Sequence, residues 1–95
     1  MPTYILLSNL SDEGAATLKK KAARLREVNK EVEGMGVKIT AQYAVLGPFD
    51  FVTIVEAPDN ETVARVSIEL SARGSVKIQT LAAIPIELFV KSLKQ

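Results

Sequence analysis

Between Gly36 and Glu56 the chain carries two β-rich runs joined by Gly47, Pro48, Phe49 and Asp50, with one amphipathic helical pattern before them and another after. Glycine gives such a connection its backbone freedom and proline fixes its φ, so the runs read as an antiparallel hairpin. Thr3 to Leu7, a β-branched, aliphatic and aromatic run that stops at the Ser8, Asn9 pair, reads as a strand before the first helix. Val76 to Ala83 reads as another after the second.

The first helix opens at Ser11, an N-cap followed by Asp12 and Glu13 at the positive end of the helix dipole. Ala15, Leu18, Ala22, Leu25, Val28, Val32 and Met35 then recur at helical spacing, which predicts one helix with one buried stripe, stopped by Gly34 and Gly36. Val37, Ile39, Ala41, Tyr43 and Val45 alternate with Lys38, Thr40, Gln42, Ala44 and Leu46 as a long second strand. Phe51 to Val55 is a third strand, apolar at nearly every position. Asp59 or Asn60 caps a second helix with Val63, Val66 and Leu70 on one side, Ala64 and Ile68 on another, and Gly74 at its end. Pro85 suits the first turn of a short C-terminal helix carrying Ile86, Phe89, Val90 and Leu93 in register.

The order is β-α-β-β-α-β. Two right-handed crossovers put both main helices on one face of a four-stranded antiparallel sheet, the ferredoxin-like sandwich of the α+β class. Taking Ile5, Leu7, Ile39, Val52, Ile54 and Ile78 as the helix-covered set leaves Tyr4, Leu6, Phe51, Thr53, Val55, Gln79 and Leu81 on the other face, which is mostly hydrophobic. Burying ~400 Å² of apolar surface per subunit is worth roughly 10 kcal/mol at ~25 cal/mol per Å², before the entropic cost of association. The expected partner is a second copy of the chain, in a homodimer or a larger oligomer joined sheet to sheet.

The 95 residues form one domain, residues 1–95, with no linker, repeat or low-complexity segment. A formal charge of +1 gives no field that would gather a nucleic acid or an anionic bilayer, so neither is expected as a partner. With 0 cysteines and 0 histidines the chain has no thiolate nucleophile, no disulfide, and neither the commonest metal ligand nor the commonest general base; no metal and no cofactor are expected. Met1 to Leu7 turns polar at Ser8 without a basic leader or a long apolar run, which predicts a cytoplasmic protein. Lys19, Lys20 and Lys21 spread over about 200° of a helix and make a solvated face, with Lys21 at the edge of the apolar stripe. A phosphate-binding role stays open for Lys21 and Arg24.

Several segments resemble the GYD domain family, which is assigned to the dimeric α/β-barrel superfamily. Tyr4, Ile5, Leu6, Leu7 with Asp12, Glu13, Gly14 resemble the family's opening, and Arg24, Leu25 its first-helix arginine. Tyr43, Ala44, Val45, Leu46, Gly47, Pro48, Phe49, Asp50 resemble the segment that names it, followed by Ile54, Val55, Glu56, Ala57, Pro58, Asp59. Gly74, Ser75, Val76 and Thr80, Leu81, Ala82, Ala83 resemble its last strand. Phe49 stands where the family's tyrosine is usual and Ala82 where an arginine is frequent. The resemblance implies a homodimer and a cavity between two sheets, with no settled activity. Dimeric α/β barrels of other families hold small aromatic or hydrophobic ligands in such a cavity, some oxidising them without a cofactor.

Asp50 is a carboxylate at a strand entrance between Phe49 and Phe51. As a turn residue it accepts backbone N–H bonds; as a proton acceptor it would need its pKa raised by burial. Tyr43 and Tyr4 are amphipathic strand residues whose phenols are the other candidates for chemistry, with Lys77, Gln79, Phe49 and Phe51 as candidate ligand contacts. The leading reading is a small-molecule binding or regulatory module that uses the inter-sheet cavity for a small hydrophobic ligand. The alternatives are a cofactor-independent enzyme for oxidation or isomerisation of a small hydrophobic substrate, with Asp50 as base, and a protein-interaction module.

Overall fold

The structure, a computed structural model, describes residues 1–94; Gln95, the last residue of the expected domain, lies outside the described residues. Its elements are β1 (Thr3–Leu10), α1 (Asp12–Lys20), α2 (Arg24–Gly34), β2 (Lys38–Ala44), β3 (Phe51–Glu56), α3 (Asn60–Ser71), β4 (Val76–Ala83) and α4 (Ile86–Ser92). The strands form one antiparallel sheet in the order β2-β3-β1-β4, with α1, α2 and α3 in the crossovers, so the fold is the ferredoxin-like α+β arrangement. The last strand has the bounds expected, and Asp59 is the cap of α3: its Oδ1 accepts from the Thr62 amide at 2.8 Å and the Thr62 hydroxyl at 2.7 Å. Those bonds hold the Asp59 carboxyl below the usual aspartate range.

Four expectations need correction. The first strand does not stop at Ser8 and Asn9, because Ser8, Asn9 and Leu10 pair with Ile78, Lys77 and Val76 of β4, and a polar side chain does not end a ladder whose backbone partner continues. The second strand is shorter than its alternation, Lys38–Ala44, and bulges between Ile39 and Ala41, where the Thr40 hydroxyl donates to the Ile54 carbonyl at 3.0 Å. The bulge reverses the facing of the residues beyond it: Ile39 lies opposite Val55, whereas Ala41 lies opposite Ile54.

The third correction concerns the sheet faces. Directly opposed residues share a face, and the pairs Tyr4 with Val55 and Leu6 with Thr53 are all buried beneath the helices. Ile5, Leu7, Val52 and Ile54 therefore lie on the open face, while Tyr4, Leu6, Phe51, Thr53 and Val55 belong to the covered one, the reverse of the expected sets. Ile39 and Ile78 are on the covered side and Gln79 and Leu81 on the open side, as expected. The core joins Tyr4, Leu6 and Val55 to Val32, Val63 and Val66. Tyr4 tolerates this burial because its phenol reaches the layer's edge and donates to Asn60 Oδ1 at 2.6 Å.

Fourth, the first helix is two. Lys21 leaves the helical region at φ −139°, ψ 81°, and Arg24 begins a second helix. A straight helix from Asp12 to Gly34 would run about 35 Å, beyond the ~26 Å of an eight-residue strand, so the break keeps both halves over the sheet. The first half is pinned at its start. The Ser11 amide donates to the Ser75 carbonyl at 2.9 Å, the Ser11 hydroxyl donates to the Gly74 carbonyl at 2.7 Å, and Gly14 sits so close that a Cβ there would lie 2.1 Å from the Ser75 oxygen.

Beyond β4 the chain leaves the core: every residue from Ile84 to Lys94 is exposed. The radius of gyration is 14.5 Å. A compact chain of this length would have ~12 Å, and the excess is the mark of a projecting element.

Candidate functional site

A cavity of about 140 Å³ lies on the helix-covered side of the sheet, below the break between α1 and α2. Its wall is apolar: Leu18, Leu25, Val28, Phe51, Leu70 and Val76. The deepest polar groups are Ser8 and Thr53, 9% and 6% exposed, projecting from β1 and β3 on the same face. Gln42 of β2 donates from Nε2 to Thr53 Oγ1 at 3.1 Å and accepts at Oε1 from Asn29 Nδ2 at 2.7 Å, which ties α2 to the sheet along one side of the cavity. Among the described residues Ser8 Oγ has no hydrogen-bond partner, although no buried polar side-chain atom is sealed away from solvent without one.

The rim is ionic. Glu31 joins Arg24 and Arg73 at 3.4 and 2.5 Å, and Glu27 joins Arg24 and Lys21 at 3.2 and 3.3 Å. Arg73 first, and then Arg24, hold the Glu31 carboxyl below the usual glutamate range; Arg24 first, and then Lys21, do the same for Glu27. The pairs are half-exposed and screened, so they orient the two guanidiniums more than they stabilise the fold. Among the described residues no group of three or more acidic side chains is placed to hold a metal ion.

The residues singled out from the sequence are dispersed. Asp50 sits at the end of the hairpin connection, where Gly47 adopts φ 116°; its Oδ2 accepts from the Leu10 amide at 2.8 Å and its own amide donates to the Ser8 carbonyl at 2.9 Å. The carboxylate thus bonds to β1 rather than across its own turn. Tyr43 is 59% exposed on the open face of β2, and Lys77 and Gln79 are exposed on that face of β4. With β2 and β4 at opposite edges, Tyr43 is three strand spacings, about 14 Å, from Gln79. Tyr4 is on the other side of the sheet, and Phe49 is half-buried in the connection. Among the described residues, Phe51 and Arg24 are the candidates that line the cavity, and Lys21 is not in its lining. Sequence reasoning missed Ser8, Thr53, Gln42, Asn29 and Arg73. The available signal was the hydroxyl pair Ser8 and Thr53 inside otherwise apolar strands.

A ferredoxin-like sheet with one helix-covered face, one open apolar face and a small polar-floored cavity makes this a ferredoxin-like domain of the α+β class. The chain belongs to the GYD domain family, whose profile matches residues 4–93. It is 56% identical, over 99% of its length and 100% of the relative's, to a Thermus thermophilus protein named "Glutamine synthetase and cystathionine beta-lyase binding protein". The crystal structure of another Thermus thermophilus protein has the same fold, with a TM-score of 0.57 and 23% identity over 90% of this chain and 95% of that one. Among the described residues no helix is long and apolar enough to cross a membrane.

Proposed function

We propose that this protein is a regulatory module that works by binding other proteins as a homodimer, with glutamine synthetase among its partners. The observation that carries the reading is the end-to-end 56% identity to a relative named for binding that enzyme and cystathionine beta-lyase. The surface supports it. Ile5, Leu7, Val52 and Ile54 form the centre of the open sheet face, flanked by Leu81 and Tyr43, which are 45% and 59% exposed. On α4 and its C-cap, Ile86, Phe89, Val90 and Leu93 share an arc of about 100° and are all exposed. Contiguous apolar surface of this kind marks an interface. The broad flat sheet suits a second copy, and the projecting helix suits an enzyme partner. A cytoplasmic location belongs to the same proposal.

Purified glutamine synthetase passed over the immobilised protein should be retained, and Phe89→Asp should weaken retention about tenfold or more. Native mass spectrometry should give two subunits, reduced to one by Leu7→Asp. Failure to retain glutamine synthetase overturns the partner assignment; a wild-type monomer overturns the role of the sheet face.

A further inference from the structure

The cavity beneath the α1–α2 break is separate from both surfaces assigned to docking, and its chemistry is graded from rim to floor. We propose that it binds a small monocarboxylic acid, about the size of a substituted benzene ring, with a neutral hydrogen-bonding group at the end opposite the carboxylate.

Ser8 fixes the floor. The residue is only 9% exposed and lines the cavity, and its hydroxyl makes no side-chain hydrogen bond among the described residues. Since no buried polar side-chain atom among the described residues is sealed off without a partner, that hydroxyl opens into the cavity, where a ligand's polar group can take the place of water. Thr53 offers a second donor beside it: its Oγ1 already accepts from Gln42 Nε2, which leaves its own proton free. Because Ser8 lies opposite Phe51 and Leu6 opposite Thr53, the two hydroxyls are diagonal neighbours on one face of the sheet, and both offer hydrogen bonds to a polar group at the floor.

The rim selects the charge. Each guanidinium has five N–H donors, and the ion pairs use only Arg24 Nη1 and Arg73 Nη2, so donors remain on both. Lys21, Arg24 and Arg73 face Glu27 and Glu31, leaving one positive charge in excess. A carboxylate balances that excess and matches the guanidinium fork. A dianionic phosphate overshoots it beside Glu31. Among the described residues no acidic side chain lines the cavity, and the two rim carboxylates are already paired with Lys21, Arg24 and Arg73, which disfavours an ammonium and so an amino acid. The volume of about 140 Å³ sets the size, close to the ~150 Å³ cavity that accommodates benzene. The wall of Leu18, Leu25, Val28, Phe51, Leu70 and Val76 sets the apolar middle.

The probe is 4-hydroxybenzoate, followed by amide chemical shifts of the ¹⁵N-labelled protein. Saturable shifts are expected at Ser8, Phe51, Thr53 and Val76. 4-Hydroxybenzamide, which keeps the shape and loses the charge, should bind about tenfold or more weakly, and benzoate, which loses the hydroxyl, severalfold more weakly. Ser8→Ala should keep the native spectrum, weaken 4-hydroxybenzoate severalfold and leave benzoate unchanged. No shifts up to ~10 mM, the outer limit for a specific site, would overturn the proposal. So would shifts confined to the open face around Tyr43 and Gln79, equal binding of acid and amide, or a Ser8→Ala variant that binds 4-hydroxybenzoate as well as wild type. Loss of glutamine synthetase binding would leave this site untouched, because the two readings use different surfaces.

Discussion

Replacing Gly14 with alanine sets helix propensity against a backbone contact. Alanine is favoured over glycine inside a helix by about 1 kcal/mol, so an open position would gain from the change. At Gly14 the new Cβ would lie 2.1 Å from the Ser75 carbonyl oxygen and 2.9 Å from its carbon. Ordinary contact begins at 3.4 Å, so α1 would have to withdraw by about 1.3 Å. That movement pulls apart two hydrogen bonds, from the Ser11 amide to the Ser75 carbonyl at 2.9 Å and from the Ser11 hydroxyl to the Gly74 carbonyl at 2.7 Å, each worth about 1 kcal/mol. With overpacking at ~1–3 kcal/mol and the propensity gain subtracted, the net loss is roughly 2–4 kcal/mol. For a domain of this length that lowers Tm by roughly 10–30 °C. Gly34 is the control, since nothing lies within 4 Å of its Cβ position. Gly34→Ala should gain a few tenths to ~1 kcal/mol. Urea unfolding followed by circular dichroism measures both. Gly14→Ala at or above wild-type stability would refute the close packing of α1 on the Ser75 backbone just before β4.

Asp50→Ala should cost ~1–3 kcal/mol in urea unfolding, because the Leu10 amide loses its acceptor, whereas Asp50→Asn, whose amide oxygen still accepts, should cost less than ~1 kcal/mol. Equal losses for the two would mean that charge, and not that bond, is what Asp50 supplies. Glu31 binds fewer protons folded than unfolded because Arg73 and Arg24 hold its carboxyl low. Its contribution is therefore complete above the ordinary value of 4.5 and is lost as pH falls through the lower folded value. The urea midpoint of wild type should drop with acid in that window more steeply than that of Glu31→Gln; parallel curves would remove Glu31 from the acid response.

The element order was legible because each strand and helix carries its own period, and Gly47 with Pro48 marks the connection. The faces were not, for a physical reason. A strand apolar on both sides but for one hydroxyl, such as Phe51 to Val55, carries no reliable mark to say which side meets the helices, and one residue of slip exchanges them all. Only β4 has an unambiguous side, with Lys77 and Gln79 opposite Val76 and Ile78. Carrying that mark into β1 requires the register of a pairing nearly the whole chain length apart. Thr53 added to the error, because a hydroxyl reads as outward until Gln42 is seen to bond it. The helix break carries no glycine or proline; it reflects the length of the sheet, which no local pattern contains. The cavity was illegible for a related reason, since its floor, wall and rim come from separate elements that meet only after folding.

The bulge at Thr40 bears on how copies of this chain can add to one another. A sheet has two ways to recruit a neighbour: backbone to backbone along its margin, or side chain to side chain across its surface. Marginal addition repeats without limit, because each newcomer offers another margin, and its end point is a fibre. On β2 the register shift interrupts that template, and Lys38 beside it sets a charge on the same strand. Addition across the surface ends with the second copy, because each molecule has one open face to give. In the assembly proposed above, the irregular outer strand disfavours addition at the β2 margin, a safeguard that acts through the arrangement it discourages rather than through any bond it makes.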